Sequence, residues 1–334
     1  MDPKYASRFT DEHLAEAARR FGADPGSLKA LDGFESFIYQ FTRAGEELIL
    51  RIGHSNRRPV NLVRGEADWI NHLVRGGTGA ARAVESLDGN LAEPLDDGHG
   101  EQFVAAAFVK ARGVHPGKDY LNPHFFEAYG REIGRSHART KGYRPTDPAW
   151  QRPHWNDPIH LGVDQDLPVD QHRVREQFRA LMDHLNALPK TEDSYGLVHF
   201  DAHTGNMFID EQGQITLFDF DDCAYSWFIN DIAIVLFYIS MWDPGSPEFA
   251  RDFLTAFFRG YRRENTLDPR WLAQIPHFLK LREIDLYGII YRDFDVENIT
   301  DRWVANYMNG RRERIENDVP FIDFDFSTLA PELA

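Results

Sequence analysis

The sequence predicts an α+β fold in two lobes. An antiparallel sheet with one main helix is expected over residues 1–112, and a larger, mostly helical lobe over residues 113–334. Three observations carry this. The chain has 334 residues with 42% hydrophobic and 13% aromatic content, long enough for two modest cores and too apolar for a disordered chain. Strand-like alternation and short turns run as far as Lys110-Ala111-Arg112-Gly113, and helical periodicity dominates beyond it. The stretch Leu197–Asp222 (LVHFDAHTGNMFIDEQGQITLFDFDD) interrupts the helical part with loop and hairpin patterning, and the remainder reads as its scaffold.

Composition narrows the function classes. The net charge is −16, and it is uneven: residues 1–113 hold 14 basic and 17 acidic side chains, whereas the remainder holds 23 and 36. Thr191–Ala250 contains eleven Asp or Glu and no Lys or Arg. That balance argues against nucleic acid, which needs a basic footprint. An anionic field of this kind suits a divalent metal and a cationic small molecule, or else a surface kept acidic for solubility. No apolar run reaches membrane-spanning length, and the N-terminal stretch has no signal-peptide core. The single cysteine, Cys223, excludes an intrachain disulfide and a multi-thiol zinc cluster. The expected compartment is the cytoplasm.

In chain order, residues 11–22 read as a short amphipathic helix with Leu14, Ala18 and Phe21 on one side. A strand pattern over Ala30–Phe41, with a turn carrying Gly33 and Ser36, is followed by a second strand over Leu48–Ile52 that contains Arg51. Ser36 is a candidate phosphate contact in that turn. Residues 61–75 form the main helix, with Leu62, Trp69, Ile70 and Leu73 at helical spacing and Glu66 inside. A basic residue near a strand's end and an acid on the next helix can pair to align the α- and β-phosphates of a nucleotide, or can be two surface charges that never meet. Short strands are expected at 81–86, 90–93 and 102–110, and the backbone of Val109–Ala111 is the candidate adenine contact. Beyond it, helices are expected at 123–140, 170–188, 229–241, 247–264, 269–291 (bent at Pro276) and 300–316. Residues 141–167 read as a loop-rich insertion and 319–326 as an extended strap.

The candidate chemistry lies in the central stretch. His199-x-Asp201 is followed by Asn206 five residues after Asp201, and by Asp219 after a short apolar run. Strands over 206–209 and 215–218 would form a hairpin with Asn206 and Asp219 at one end. Asp201 is positioned to accept a proton from an attacking hydroxyl. Asn206 and Asp219 offer hard oxygen donors to Mg²⁺ bridging a nucleotide's phosphates. His199 reads as a buried orienting residue. Other readings stay open: a dinuclear metallohydrolase built on His199, Asp201 and His203, a glycosyltransferase metal site at Asp219-x-Asp221, a nucleotide-binding pseudoenzyme acting as a binding module, and a loop whose polar groups merely satisfy its backbone.

HFDAHTGNMFI, ITLFDFDD and the following WFINDIA (Trp227–Ala233) resemble the aminoglycoside phosphotransferase / choline kinase family of small-molecule kinases. The usual family forms are H-G-D-x-x-x-x-N, I-D-F/W-[DE] and D-[IL]-A. The resemblance continues upstream through GFESFIYQF, LILRI and RGEADWINHL, covering both lobes. It implies a bilobal protein-kinase-like fold with ATP between the lobes. Asp201 would be the base, Asn206 and Asp219 the Mg²⁺ ligands, Arg51 and Glu66 the phosphate-aligning pair, and Asp231 a buried brace for the catalytic loop. Two departures stand out. Phe200 replaces the usual Gly, and Arg51 replaces the usual Lys, which leaves ATP against GTP open. The resemblance puts the acceptor pocket among the C-terminal helices. Tyr287, Tyr291 and Trp303 are its candidates, together with Arg292, Asp293 and Asp295. His203 and Asp221 lie nearer the loop. An aromatic and acidic lining would suit an amine-bearing acceptor, and the same residues would equally serve as ordinary helix packing.

Overall fold

The computed structural model describes residues 1–33, 35–242 and 246–333. Phe34, within the expected 30–41 strand, lies outside the described residues. The elements in chain order begin with α1 (Pro3–Ala6), α2 (Asp11–Arg20), β1 (Lys29–Leu31), β2 (Phe37–Arg43) and β3 (Glu46–His54). Then come α3 (Val60–Arg75), β4 (Ala83–Val84), β5 (Glu93–Asp96) and β6 (Gln102–Val109). Next are α4 (Pro123–Thr140), α5 (Val163–Asp166), α6 (His172–Asn186), β7 (Tyr195–Val198), β8 (Met207–Ile209) and β9 (Ile215–Leu217). The chain closes with β10 (Ala224–Trp227), α7 (Phe228–Ile239), α8 (Pro247–Tyr261), α9 (Ile275–Asp293), α10 (Arg302–Met308) and α11 (Arg311–Glu316).

The chain divides into two compact units. The first comprises 1–115, 142–152 and 205–223; the second comprises 116–141, 153–204 and 224–334. The sequence pattern shows one boundary near residue 112, whereas the chain returns to the first unit twice.

In the first unit an antiparallel sheet runs in the order β1-β2-β3-β6-β4, with β5 also paired to β6. Alternation decides which residues face where. Leu48, Leu50 and Ile52 of β3 join Phe103, Ala105 and Ala107 of β6, and Ala17 and Phe21 from the α2 end, in one apolar cluster. Arg51, between two of those positions, is left for the opposite face. The β8–β9 hairpin belongs to this unit and is bridged to it at Ala80–Leu217 and Val114–Ile209.

In the second unit α7 is buried on nearly every side, as its unbroken apolar sequence demands. Helices α4 and α8 pack at close range because glycines line the contact. A Cβ on Gly130 would stand 1.9 Å from the Phe257 carbonyl oxygen, and one on Gly260 would stand 1.9 Å from that of Glu127. Gly130→Ala is therefore expected to force the helices apart and lower stability by about 1–3 kcal/mol, read as a lower denaturant midpoint at unchanged slope.

Two expectations are corrected here. Pro276 sits in the first turn of α9, where its missing N–H costs nothing, so it starts that helix and a 3₁₀ turn (Pro269–Gln274) precedes it. The helix expected over 300–316 is broken at Asn309-Gly310, where Gly310 adopts φ +65°.

Candidate active site

The first cluster lies in the first unit. Arg51 projects from β3, and Glu66 comes from α3. Their side chains pair twice, Nη1–Oε1 at 2.9 Å and Nη2–Oε2 at 2.5 Å, with Glu66 buried. The guanidinium also lies 5.0 Å from the centre of the Phe108 ring. Beyond this pair it reaches Asp219 Oδ1 at 3.8 Å and Asp221 Oδ1 at 3.9 Å. Burial works against the Arg51 charge, but the carboxylates of Glu66, Asp221 and Asp219 more than offset it, so the guanidinium stays ionised. At the hairpin, Met207 pairs with Leu217 and the Phe218 N–H donates to the Asn206 carbonyl at 3.0 Å, which brings Asn206 and Asp219 to the same end.

Asp219 differs from its neighbours. Asp221 is gripped by Arg57 (2.5 Å) and Arg58 (3.3 Å), and Asp222 by Arg58 (2.5 Å) and Arg57 (3.3 Å). Arg152 donates to the Asp221 carbonyl at 2.6 Å and to that of Cys223 at 2.9 Å. Asp219 adopts φ +59°, a left-handed conformation that Asp tolerates better than most residues, and keeps 56% of its side chain in water. Burial of its surroundings and the charges of Asp221, Asp222 and Glu66 outweigh Arg51 and push its carboxyl up to about 7.

Between the ordinary carboxylate range and about pH 7 the folded state therefore favours a proton on Asp219 that the unfolded chain has released. This group's contribution is fully present below the ordinary carboxylate range and is lost as pH rises through about 7. In the absence of metal, Asp219→Asn is expected to gain stability over the wild type from pH 5 to pH 8. Solvent screening holds the gain to about 1 kcal/mol. Thermal melts in chelator across that range check it.

The second cluster lies in the second unit, at the end of β7. His199 is buried. Phe200 holds φ +67°, an unusual conformation for a bulky residue that explains why Gly is the usual occupant. It is pinned there by its N–H, which donates to Asp231 Oδ1 at 2.8 Å. Asp231 Oδ2 lies 3.0 Å from His137 Nε2, and His137 Nδ1 lies 3.0 Å from the Tyr261 hydroxyl. The Tyr129 hydroxyl donates to the Ala202 carbonyl. Asp231 thus braces the loop from behind.

Asp201 Oδ1 accepts from Arg282 Nη2 at 2.7 Å, and Oδ2 lies 3.4 Å from His203 Nε2. Burial would raise the Asp201 carboxyl, but the His203 hydrogen bond and the Arg282 charge hold it below the ordinary range. It stands as a carboxylate at neutral pH.

The remaining expected site residues fall out as follows. Ser36 lies over β3, where a Cβ on Gly53 would stand 3.3 Å from its hydroxyl oxygen. The Val109 and Lys110 amides are already donated to the carbonyls of Arg82 (2.8 Å) and Glu47 (3.1 Å), so those two residues remain candidates through their carbonyls and Ala111 through its amide as well. Asp221, the candidate substrate contact near the loop, is paired with Arg57 and Arg58. His203 sits beside Asp201, with its ring 4.7 Å from that of Tyr238. Tyr287 is buried, and its hydroxyl lies 3.4 Å from that of Tyr291. At about 100° per residue these two tyrosines lie about 140° and 180° around α9 from Arg282, so they do not share the face that reaches Asp201. Trp303 is 46% exposed and stacks on Tyr307 with ring centres 5.8 Å apart.

Sequence reasoning missed Arg57, Arg58 and Arg282. Arg57-Arg58 is visible as a basic pair after β3, and Arg282 as an i,i+3 partner of Asp285, but neither pattern names the acid it meets across the chain.

The family model described as "Phosphotransferase enzyme family" matches residues 27–267. The chain is 39% identical over 324 residues to the amicoumacin kinase of Bacillus subtilis (strain 168), covering 96% of each protein. Among solved structures, it matches amicoumacin kinase hAmiN in complex with AMP-PNP, Ca²⁺ and Ami with a TM-score of 0.92 at 35% identity, covering 98% of this chain and 100% of that one. A microcompartment-associated aminopropanol kinase shares the fold, with a TM-score of 0.72 at 21% identity and coverage of 92% and 98%. With a family model spanning most of its length and a relative matched nearly end to end, the chain belongs to the phosphotransferase enzyme family and is a small-molecule kinase of protein-kinase-like fold.

Proposed function

We propose that this protein transfers the γ-phosphoryl group of ATP, with Mg²⁺, to a hydroxyl of a small, amine-bearing molecule, with amicoumacin the first acceptor to try. The observation that carries the reading is the state of Asp201: a half-buried carboxylate kept ionised by Arg282 and His203, on a loop braced by Asp231. As the acceptor oxygen bonds to the γ-phosphorus and the bond to ADP breaks, the hydroxyl proton passes to Asp201. A weak base suffices, because the proton leaves late in a loose transition state.

Residues 1–112 would form the nucleotide-binding lobe and 113–334 the catalytic and acceptor-binding lobe. Arg51, held by Glu66, would contact the α- and β-phosphates as a planar fork where a lysine would act as a point charge. Ser36 and the Ala111 backbone are further nucleotide contacts. Asn206 and the half-exposed Asp219 carboxylate are hard oxygen donors and fit Mg²⁺. The metal would supply charge neutralisation at the phosphates. The hAmiN complex, with its AMP-PNP and Ca²⁺, supports a nucleotide and a divalent metal here.

The net charge of −16 favours a cationic acceptor over an anionic one, with Trp303 an exposed aromatic contact for it. No helix among the described residues is long and apolar enough to cross a membrane. A cytoplasmic site of action fits the supply of ATP.

The test is an ADP-release screen over amicoumacin, aminoglycosides, choline-like amines, homoserine and sugars, with product phosphorylation confirmed by mass. Acceptor-dependent ADP release that chelator abolishes supports the reading. Nucleotide binding without turnover on any acceptor would make the protein a binding module, and phosphate release from a generic ester without ATP would make it a hydrolase.

A further inference from the structure

Asp201 is gripped from a helix that lies far from it in sequence. Arg282, on α9, donates through Nη2 to Asp201 Oδ1 at 2.7 Å, and through the same nitrogen to the Tyr238 hydroxyl at 2.6 Å. Its Nη1 donates to Asp285 Oδ2 at 2.9 Å. The guanidinium carbon stands 5.2 Å from the centre of the Tyr238 ring, and the side chain is 12% exposed. The fork is thus held by two residues, Tyr238 and Asp285, before it meets Asp201, and a fork held in this way gives up little freedom on forming the last bond.

We propose that Arg282 is a positioning residue for phosphoryl transfer: by holding Oδ1 it locks the Asp201 rotamer and presents Oδ2, on the His203 side, to the acceptor hydroxyl. The inference rests on Asp201 being the base. It also separates two jobs for the acidic residues near the loop. Asp201 is already neutralised by a guanidinium and is not the group that would bind an acceptor's ammonium.

The ionisable groups facing Asp201 are His199 and His203 from its own loop, Tyr129 from α4, Tyr238 from α7 and Arg282 from α9, with Asp285 behind Arg282. Of these, Arg282 carries the permanent positive charge in direct contact. Its removal should let the Asp201 carboxyl move toward, or above, the ordinary range.

The experiment compares wild type with Arg282→Met, Arg282→Lys and Asp285→Asn, the last loosening Arg282 while leaving it in place. The Asp201 carboxyl is titrated by ¹³C NMR, with Asp201→Asn assigning its signal, and kcat and KM are followed against pH. In R282M the Asp201 titration and the acid limb of kcat are expected to move up by about 1–3 pH units. The kcat value should fall by up to about 10²-fold, as for a misplaced reacting group, with KM for ATP unchanged. R282K should show the same changes at smaller amplitude, and D285N, which loosens the fork but also removes a negative charge beside it, a smaller fall in kcat.

An Asp201 titration that stays put in folded R282M overturns the proposal, as does activity lost only through KM for the acceptor. Full turnover by D201N would overturn the base assignment instead. The NMR titration needs no turnover, so it distinguishes that failure from a failure of Arg282 to govern Asp201.

Discussion

Asp201→Asn is expected to lower kcat by about 10²–10⁴-fold while nucleotide affinity stays close to wild type. The amide keeps the size of the side chain and can still accept from Arg282 through its oxygen, so the loop should keep its shape. The amide cannot take the acceptor's proton. The Phe200 N–H bond to Asp231 and the Tyr129 bond to the Ala202 carbonyl are made by other residues and should survive. A fluorescent nucleotide titration beside the kinetic assay makes the distinction: weak turnover with intact binding assigns the base, whereas equal losses in both would mean a collapsed loop. Wild-type turnover in D201N would end the assignment.

Arg51→Met is expected to cost about 3–5 kcal/mol of stability, because it strands Glu66 as a buried, uncompensated carboxylate. It should also raise KM for ATP. The two effects can be pulled apart with Arg51→Met/Glu66→Met, which replaces the pair by apolar side chains of similar length. The double variant is expected to recover most of the lost stability, since exchanging a buried ion pair for hydrophobic packing is often neutral, yet to remain defective with ATP. If the double variant regained normal ATP kinetics, the pair would be structural and the phosphate role would fall. Arg51→Lys tests the fork itself: Lys is the usual family residue, but here its single ammonium would have to replace a double contact with Glu66.

What the sequence revealed and what it concealed follow from the range of the interactions. The Arg51–Glu66 pair was legible because strand and helix are neighbours in sequence and their periodicities are strong. The same holds for α4, whose span of Pro123–Thr140 coincides with its apolar repeat and its Pro start. The Asp231 brace was legible only by family resemblance, since nothing in its spacing names Phe200 as its partner. The charge argument sees only part of the acidic run. Thr191–Ala250 lacks its own bases, but Arg57 and Arg58 reach its acids in the first unit and Arg282 does so in the second. A window along the chain cannot count charges that arrive from elsewhere. Tyr287 and Tyr291 stand out in the sequence by their aromatic character, and the helical phase that turns them from Arg282's face becomes decisive only once Arg282 is known to touch Asp201.

The scattered make-up of the first unit bears on how the chain is born. When the ribosome has released residues 1–115, the whole of the main sheet is out of the tunnel, yet residues 205–223, which supply Asp219, Asp221 and Asp222, have still to be made. For the length of about ninety further residues, Arg57 and Arg58 after β3 wait for Asp221 and Asp222, whereas Arg51 within it already has Glu66. A truncated product ending there would leave the ribosome with a bare cationic edge, inviting chaperones or polyanions, and nascent chains arrested beyond residue 223 are where protease resistance of that sheet should first appear.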